Sequence, residues 1–187
     1  MANTVYHCTY CKKIIKKPPT PVWLCECGKP LYTHYKWEGK KCEILIEDKN
    51  KSLWRYSSVL PEGCLKENIS LGEGWTPLIS ISKNIFVKDE TVNPTGSFKD
   101  RGMAMAITMA KIQNVKKICL PSAGNAGISA SAYCQAAGID CFVFLPETIP
   151  EPYIKATKHF NPKLELSGKT ISEAGKKMMA QKDSDWF

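Results

Sequence analysis

From residue 83 onward, short apolar runs alternate with helical segments, and this alternation limits the possible folds more than any other feature. Residues 84–88 read as a strand. Residues 98–113 read as a helix, with Met103, Ala106, Ile107 and Ala110 recurring at helical spacing. A strand over 117–120 is closed by Pro121. Residues 126–137 form a helix of small side chains, stopped by Gly138. The continuous apolar run 141–145, ended by Pro146, reads as a strand buried on both faces. A helix over 151–160 tolerates Pro152 in its first turn. A short strand over 163–166 and a last helix over 172–182 complete the pattern. Strands and helices in this order predict the α/β class, with a parallel sheet and crossover helices.

The 187 residues divide into three zones: 1–37, with paired cysteines and little periodicity; 38–82, of mixed character; and the patterned 83–187. Net charge is +8, and residues 1–60 hold 11 basic against 5 acidic residues. A basic N-terminal module can bind polyanions. Only Arg55 and Arg101 are arginine, so it lacks the forked donor of most base-specific contacts, and a solvated lysine surface is favoured over nucleic-acid binding. The first residues lack a basic stretch followed by an apolar run, as a secretory signal would have. The uncharged stretch 118–139 is too broken by Pro121, Gly124, Gly127 and three serines to span a membrane. Nine cysteines, an odd number, argue against a disulfide framework and for a reducing cytoplasm. GxGxxG, GxxxxGK and HExxH motifs are absent.

Four of those cysteines are paired. Cys8 and Cys11 form a CxxC, and Cys25 and Cys27 a CxC followed by Gly28. Two thiolate pairs joined by a short loop can converge on one tetrahedral zinc; free thiols in a small lobe are the alternative. The module offers few large apolar residues (Val22, Trp23, Leu24, Leu31), so a metal would be its main staple. His7 beside Cys8 is a weaker candidate ligand. Cys119, Cys134 and Cys141 lie in predicted core elements and read as small hydrophobes.

Two turns carry the candidate chemistry. Residues 93–102 read Asn-Pro-Thr-Gly-Ser-Phe-Lys-Asp-Arg-Gly and lead from a strand into a helix, with Ser97 as expected N-cap. Lys99 then falls in the first helical turn. The helix dipole and burial favour its neutral amine there, the form that makes a Schiff base. Residues 122–127, Ser-Ala-Gly-Asn-Ala-Gly, join the next strand to the next helix at the same sheet edge, where open α/β sheets bind ligands. Backbone amides of this turn suit a carboxylate, and Asn125 adds a side-chain donor.

With these residues in view, the sequence resembles the threonine synthases, within the fold type II (tryptophan synthase β-like) pyridoxal-phosphate enzymes. Residues 71–78, Leu-Gly-Glu-Gly-Trp-Thr-Pro-Leu, look like the family's entry motif; Lys88, Glu90 and 93–102 look like its lysine motif; 122–127 looks like its asparagine loop. The start, with Cys25-Glu-Cys-Gly-Lys-Pro-Leu, is similar to the zinc-knuckle-like N-terminus of many members. The resemblance implies a zinc-knuckle-like module over 1–37, a connector of the enzyme body over 38–82, and an α/β domain over 83–187. It implies that Lys99 carries pyridoxal phosphate and shuttles protons, that Phe98 lies against the ring, and that Asn125 bonds the ring hydroxyl. Ser122, Gly124, Asn125 and Ala126 would hold the substrate carboxylate. Cys8, Cys11, Cys25 and Cys27 would hold structural zinc. The implied reaction is the lyase conversion of O-phosphohomoserine and water to threonine and phosphate, in amino-acid biosynthesis.

The family's later glycine-rich phosphate cradle and its residue facing the pyridine nitrogen have no counterpart before Phe187. The expectation is therefore an N-terminal part, lacking the second catalytic domain and inactive alone, with a complementing C-terminal segment or a homo-oligomer as partner. Other fold type II activities (cysteate synthase, threonine dehydratase, cysteine synthase), a zinc-ribbon nucleic-acid or protein-binding module, and a non-catalytic descendant are the competing readings.

Overall fold

The structure, a computed structural model, describes residues 4–16, 22, 24–35, 46–61, 63–183 and 185–187. The N-terminal zone folds as an antiparallel sheet of β1 (Thr4–Cys8), β2 (Ile14–Ile15) and β3 (Leu31–Tyr35), with β1 in the centre. Cys8 pairs with Leu31 and His7 with Tyr32. No apolar alternation announces these strands. Tight backbone bonds at the cysteine turns set them up: Cys8 N–H donates to Lys13 O, and Cys25 N–H to Lys29 O. Trp23, one of the module's few large apolar residues, lies outside the described residues, as does Cys42.

Next comes a 3-10 stretch, Leu53–Val59, which buries Trp54 and Arg55. A hairpin of β4 (Leu78–Ser82) and β5 (Ile85–Lys88) follows, where the sequence predicts only the second strand. Its apolar residues alternate poorly because both faces carry them: Leu78, Ile79, Ile81, Ile85, Phe86 and Val87 are all exposed.

The patterned zone follows the predicted order. It consists of α1 (Lys99–Ile112), β6 (Lys117–Pro121), α2 (Asn125–Ala137), β7 (Asp140–Leu145), α3 (Glu151–Lys158), β8 (Lys163–Leu166) and α4 (Ile171–Gln181). β6, β7 and β8 form a parallel sheet with β7 central. Pro121 is the last residue of β6, opposite Phe144, at a strand end where its missing N–H does no harm. Side chains of β7 alternate between two cores. Cys141, Val143 and Leu145 pack with the α1–α2 side, and Phe142 and Phe144 pack with Ala174 and Met178 of α4. Helices thus cover both faces, and each large side chain so buried contributes roughly 1.5–3 kcal/mol.

Local chemistry fixes the helix ends. Gly138 closes α2 at φ 69°, as an αL cap. Thr170 and Glu173 form a capping box that starts α4, one residue before the predicted start. Pro152 sits in the first turn of α3. The terminal residues return along β6: Phe187 N–H donates to Lys117 O, Cys119 N–H donates to Phe187 O, and Trp186 lies 4.0 Å from the Phe142 ring. Among the described residues, no helix is long and apolar enough to cross a membrane.

Candidate functional site

Chain direction brings the two predicted turns together. α2 begins where β6 ends, and α1 leads through a short turn into the start of β6. Both helix N-termini therefore lie at the C-terminal edge of the sheet, the edge at which this architecture places ligands.

The lysine turn is built from buried polar groups. Asp100 is fully buried, and its carboxylate accepts from the Thr95 hydroxyl and, at 2.6 Å, from the Thr95 N–H. Arg101 turns away to a two-point contact with Glu90, at 2.7 and 2.8 Å, and also reaches Thr76. The Arg101 guanidinium holds the Glu90 carboxyl down at about 2, against the opposing effect of burial and with help from Thr76 and Asn93. Asn93 donates to Glu90 and accepts from Gly74 N–H at 3.0 Å, and Lys88 donates to Thr76 O. The helix starts at Lys99 with Phe98, not Ser97, at the cap position; the Ser97 hydroxyl still accepts from Lys99 N–H at 3.3 Å.

Lys99 is half-buried. Its Nζ rests 4.3 Å over the Phe98 ring and has no hydrogen bond or ion pair among the described residues. Phe98 itself is 57% exposed.

The asparagine turn is organised from within by Ser122. Its buried hydroxyl accepts from Gly124 N–H at 3.1 Å and Gly127 N–H at 2.8 Å. Those two amides are therefore engaged within the turn, and of the backbone amides expected to suit a carboxylate they are not the ones left open. The Asn125 and Ala126 amides occupy the open first turn of α2, where N–H groups have no partner within the helix. Gly124 stands at φ 139°, and a Cβ there would lie 2.8 Å from the Tyr153 ring. Glycine is needed at this position on both counts. The Asn125 side chain is exposed and unpartnered among the described residues.

A buried network beneath these turns is not announced by the sequence. Glu73, fully buried, accepts from Trp54 Nε1 at 2.8 Å, Tyr133 Oη at 2.7 Å, Leu71 N–H at 2.9 Å and the Ser70 hydroxyl. Burial, then Glu73, push the Tyr133 phenol far above its ordinary range, so it stays a donor. A Cβ on Gly74 would meet Leu53 N at 2.6 Å, so this loop touches the 3-10 stretch directly. A glutamate between two glycines reads as surface; the only sequence signal was its place in the entry motif.

The four paired cysteines meet. Their Sγ atoms all lie within 4.8 Å of one another, with Cys8–Cys27 at 3.5 Å and Cys11–Cys25 at 3.6 Å. Tetrahedral ligation at zinc–sulfur distances implies about 3.8 Å between sulfurs, so the donor set fits. Amides of Tyr10 and Cys11 point at Cys8 Sγ, each at 3.4 Å. Burial would raise the Cys8 thiol, but these amides and the neighbouring thiols outweigh it and bring it down to about 6. His7 is not part of the cluster: its ring stacks on His34 at 4.5 Å and meets the Tyr32 hydroxyl. Cys134 and Cys141 are buried in the α/β core, as small hydrophobes are, and Cys119 is half-buried.

Residues 69–187 match the family described as pyridoxal-phosphate dependent enzyme. The chain is 38% identical over 137 residues to a threonine synthase of Methanocaldococcus jannaschii, covering 67% of this chain and 34% of that protein. It is 45% identical over 102 residues to a threonine synthase of a Bacillus species, covering 51% and 29%. It thus spans about a third of the length of the curated relatives it matches. Among solved structures, it is similar in fold to a threonine deaminase of Solanum lycopersicum, with TM-score 0.53, 24% identity, and 60% and 36% of the two chains covered. A hydrogen sulfide-producing enzyme of Fusobacterium nucleatum has TM-score 0.54 at 21% identity, over 68% and 45% of the two chains.

Proposed function

The chain belongs to the pyridoxal-phosphate dependent enzyme family, and on that premise we propose that it is the N-terminal part of a threonine synthase-type lyase, which converts O-phosphohomoserine and water to threonine and phosphate. One observation carries the reading. In the two turns at the sheet edge nearly every polar side chain is tied down, while the Lys99 amine and the Asn125 carboxamide are left without partners among the described residues. An amine free of any counter-ion and a free carboxamide at one edge fit a ligand that carries an aldehyde and a ring hydroxyl.

When bound, pyridoxal phosphate supplies an electron sink that lowers the cost of removing protons from carbon. Lys99 Nζ is the group that holds the cofactor and then moves protons at its nitrogen. Asn125 donates its carboxamide N–H to the ring hydroxyl. The open Asn125 and Ala126 amides, at the positive end of α2, hold the substrate carboxylate. Ser122 and Gly124 shape that cradle, Ser122 through its inward hydrogen bonds and Gly124 by leaving room beside Tyr153. Phe98 supplies an apolar surface next to the amine. The relatives named threonine synthase support this choice over the other fold type II activities. In the N-terminal module, Cys8, Cys11, Cys25 and Cys27 hold a structural zinc, since four thiolates leave no open position for catalysis.

The test is to expose the chain to pyridoxal phosphate, reduce with borohydride and map the modified peptide. Label concentrated on Lys99, and lost from that peptide in Lys99→Ala, supports the reading. Label spread evenly over the surface lysines overturns it.

A further inference from the structure

We propose that Asp100, through Ser129, is the positioning residue that sets the Lys99 amine against Asn125; the inference rests on the reading of Lys99 as the cofactor's anchor. Asp100 is fully buried, yet neither flanking cation serves it. Lys99 Nζ lies over Phe98, and Arg101 is engaged by Glu90. A buried carboxylate without a cation is costly unless hydrogen-bond donors replace water. Three do so here: the Thr95 N–H, the Thr95 hydroxyl and, at 2.6 Å, the Ser129 hydroxyl. The first turn of α1 adds its dipole.

The three donors come from two places, and the inference follows from that. Both Thr95 bonds pin the Pro94–Thr95–Gly96–Ser97 turn, and with it the backbone of Lys99. Ser129, itself fully buried, belongs to α2 and lies one turn beyond Asn125 on the same helix face. One carboxylate therefore grips the turn that carries the amine and the helix that carries the carboxamide. Two groups that must meet on one small ring need this kind of fixed spacing, because a misplacement of about 1 Å is enough to cost on the order of a hundredfold in rate. The Thr95 and Ser129 hydroxyls donate to the same oxygen, Oδ1, and the Thr95 N–H to Oδ2, so Asp100→Ala removes the acceptor of all three at once.

The experiment is competitive labelling of the whole chain with limiting pyridoxal phosphate and borohydride. The label on Lys99 is read against the other lysines by peptide mass spectrometry, beside a thermal melt. Ser129→Ala should lower the Lys99 share about fivefold or more, the scale set by losing a hydrogen bond to an ion, while the melt stays cooperative. Ser129→Thr, which keeps the hydroxyl, should restore most of it. Asp100→Ala should do at least as much damage as Ser129→Ala; if it does not fold, the serine pair decides alone. An unchanged Lys99 share in Ser129→Ala, or a Ser129→Thr as poor as the alanine, overturns the inference while leaving the anchor reading standing. A wild-type chain with no preference for Lys99 overturns both.

Discussion

The cysteine module and the α/β body are held together by opposite means. Among the described residues of the module, only Val5, Cys8 and Cys25 are buried side chains of apolar type, and Tyr10 and Ile14 are mostly exposed. The body buries Tyr133, Val143, Phe144 and Leu145 completely or nearly so, between helices on both faces of β7. Among the described residues, three short strands around four sulfurs enclose little apolar surface to set against chain entropy. The body encloses more, and it can also carry buried charge, with Glu73 and Asp100 each satisfied by several donors. On the proposed zinc site, one region depends on what its four thiols hold, and the other on packing.

The sharpest way to break this contrast is to remove metal. A strong zinc chelator, or Cys25→Ser, should abolish hydrogen-exchange protection across β1 to β3, since structural zinc supplies on the order of 10–16 kcal/mol to modules of this kind. Protection of α2 and β7 should be unchanged. Module protection that survives chelation would remove the contrast altogether. A smaller effect, on the other side, comes from Gly124→Ala. The new methyl meets the Tyr153 ring at a backbone angle disfavoured for alanine, which should cost the body about 1–3 kcal/mol by urea denaturation without altering bound zinc. An unshifted urea midpoint would mean that the Tyr153 side of the turn yields freely.

The smallest expected effect is in acid. Arg101 lowers the Glu90 carboxyl from 4.5 to about 2, so the folded body binds this proton less readily than the unfolded chain. The stabilisation is complete above the ordinary carboxylate range and is lost as pH falls towards about 2. Glu90→Gln should flatten the decline in urea midpoint between pH ~5 and pH ~3 relative to the parent. Parallel declines in parent and variant would show that the pair contributes nothing to acid sensitivity.

The sequence was legible where one physical signal dominated. The run 141–145 is apolar on both faces because helices cover both, and Gly138 marked a helix end because few other residues accept φ 69°. Lys99 and Asn125 stood out through turn chemistry. The strands of the module were not legible, because sulfur and turn geometry, and no alternating pattern, hold them. β4 was missed because its apolar residues sit on both sides of a ribbon. Glu73 was missed as a buried centre because its donors, Trp54 and Tyr133, lie 19 and 60 residues away. Ser129 reads as one more small residue in a small-residue helix, and only the fold brings it to Asp100.

The exposed β4–β5 ribbon also governs how the chain behaves in bulk. Both of its long edges are unpaired among the described residues, and its apolar side chains face outward, an arrangement that invites edge-to-edge stacking between molecules. The net charge of +8 keeps molecules apart while ionic strength is low. Added salt shortens the reach of that repulsion to about 10 Å at 0.1 M. Colloidal stability should therefore fall, not rise, as buffer is concentrated.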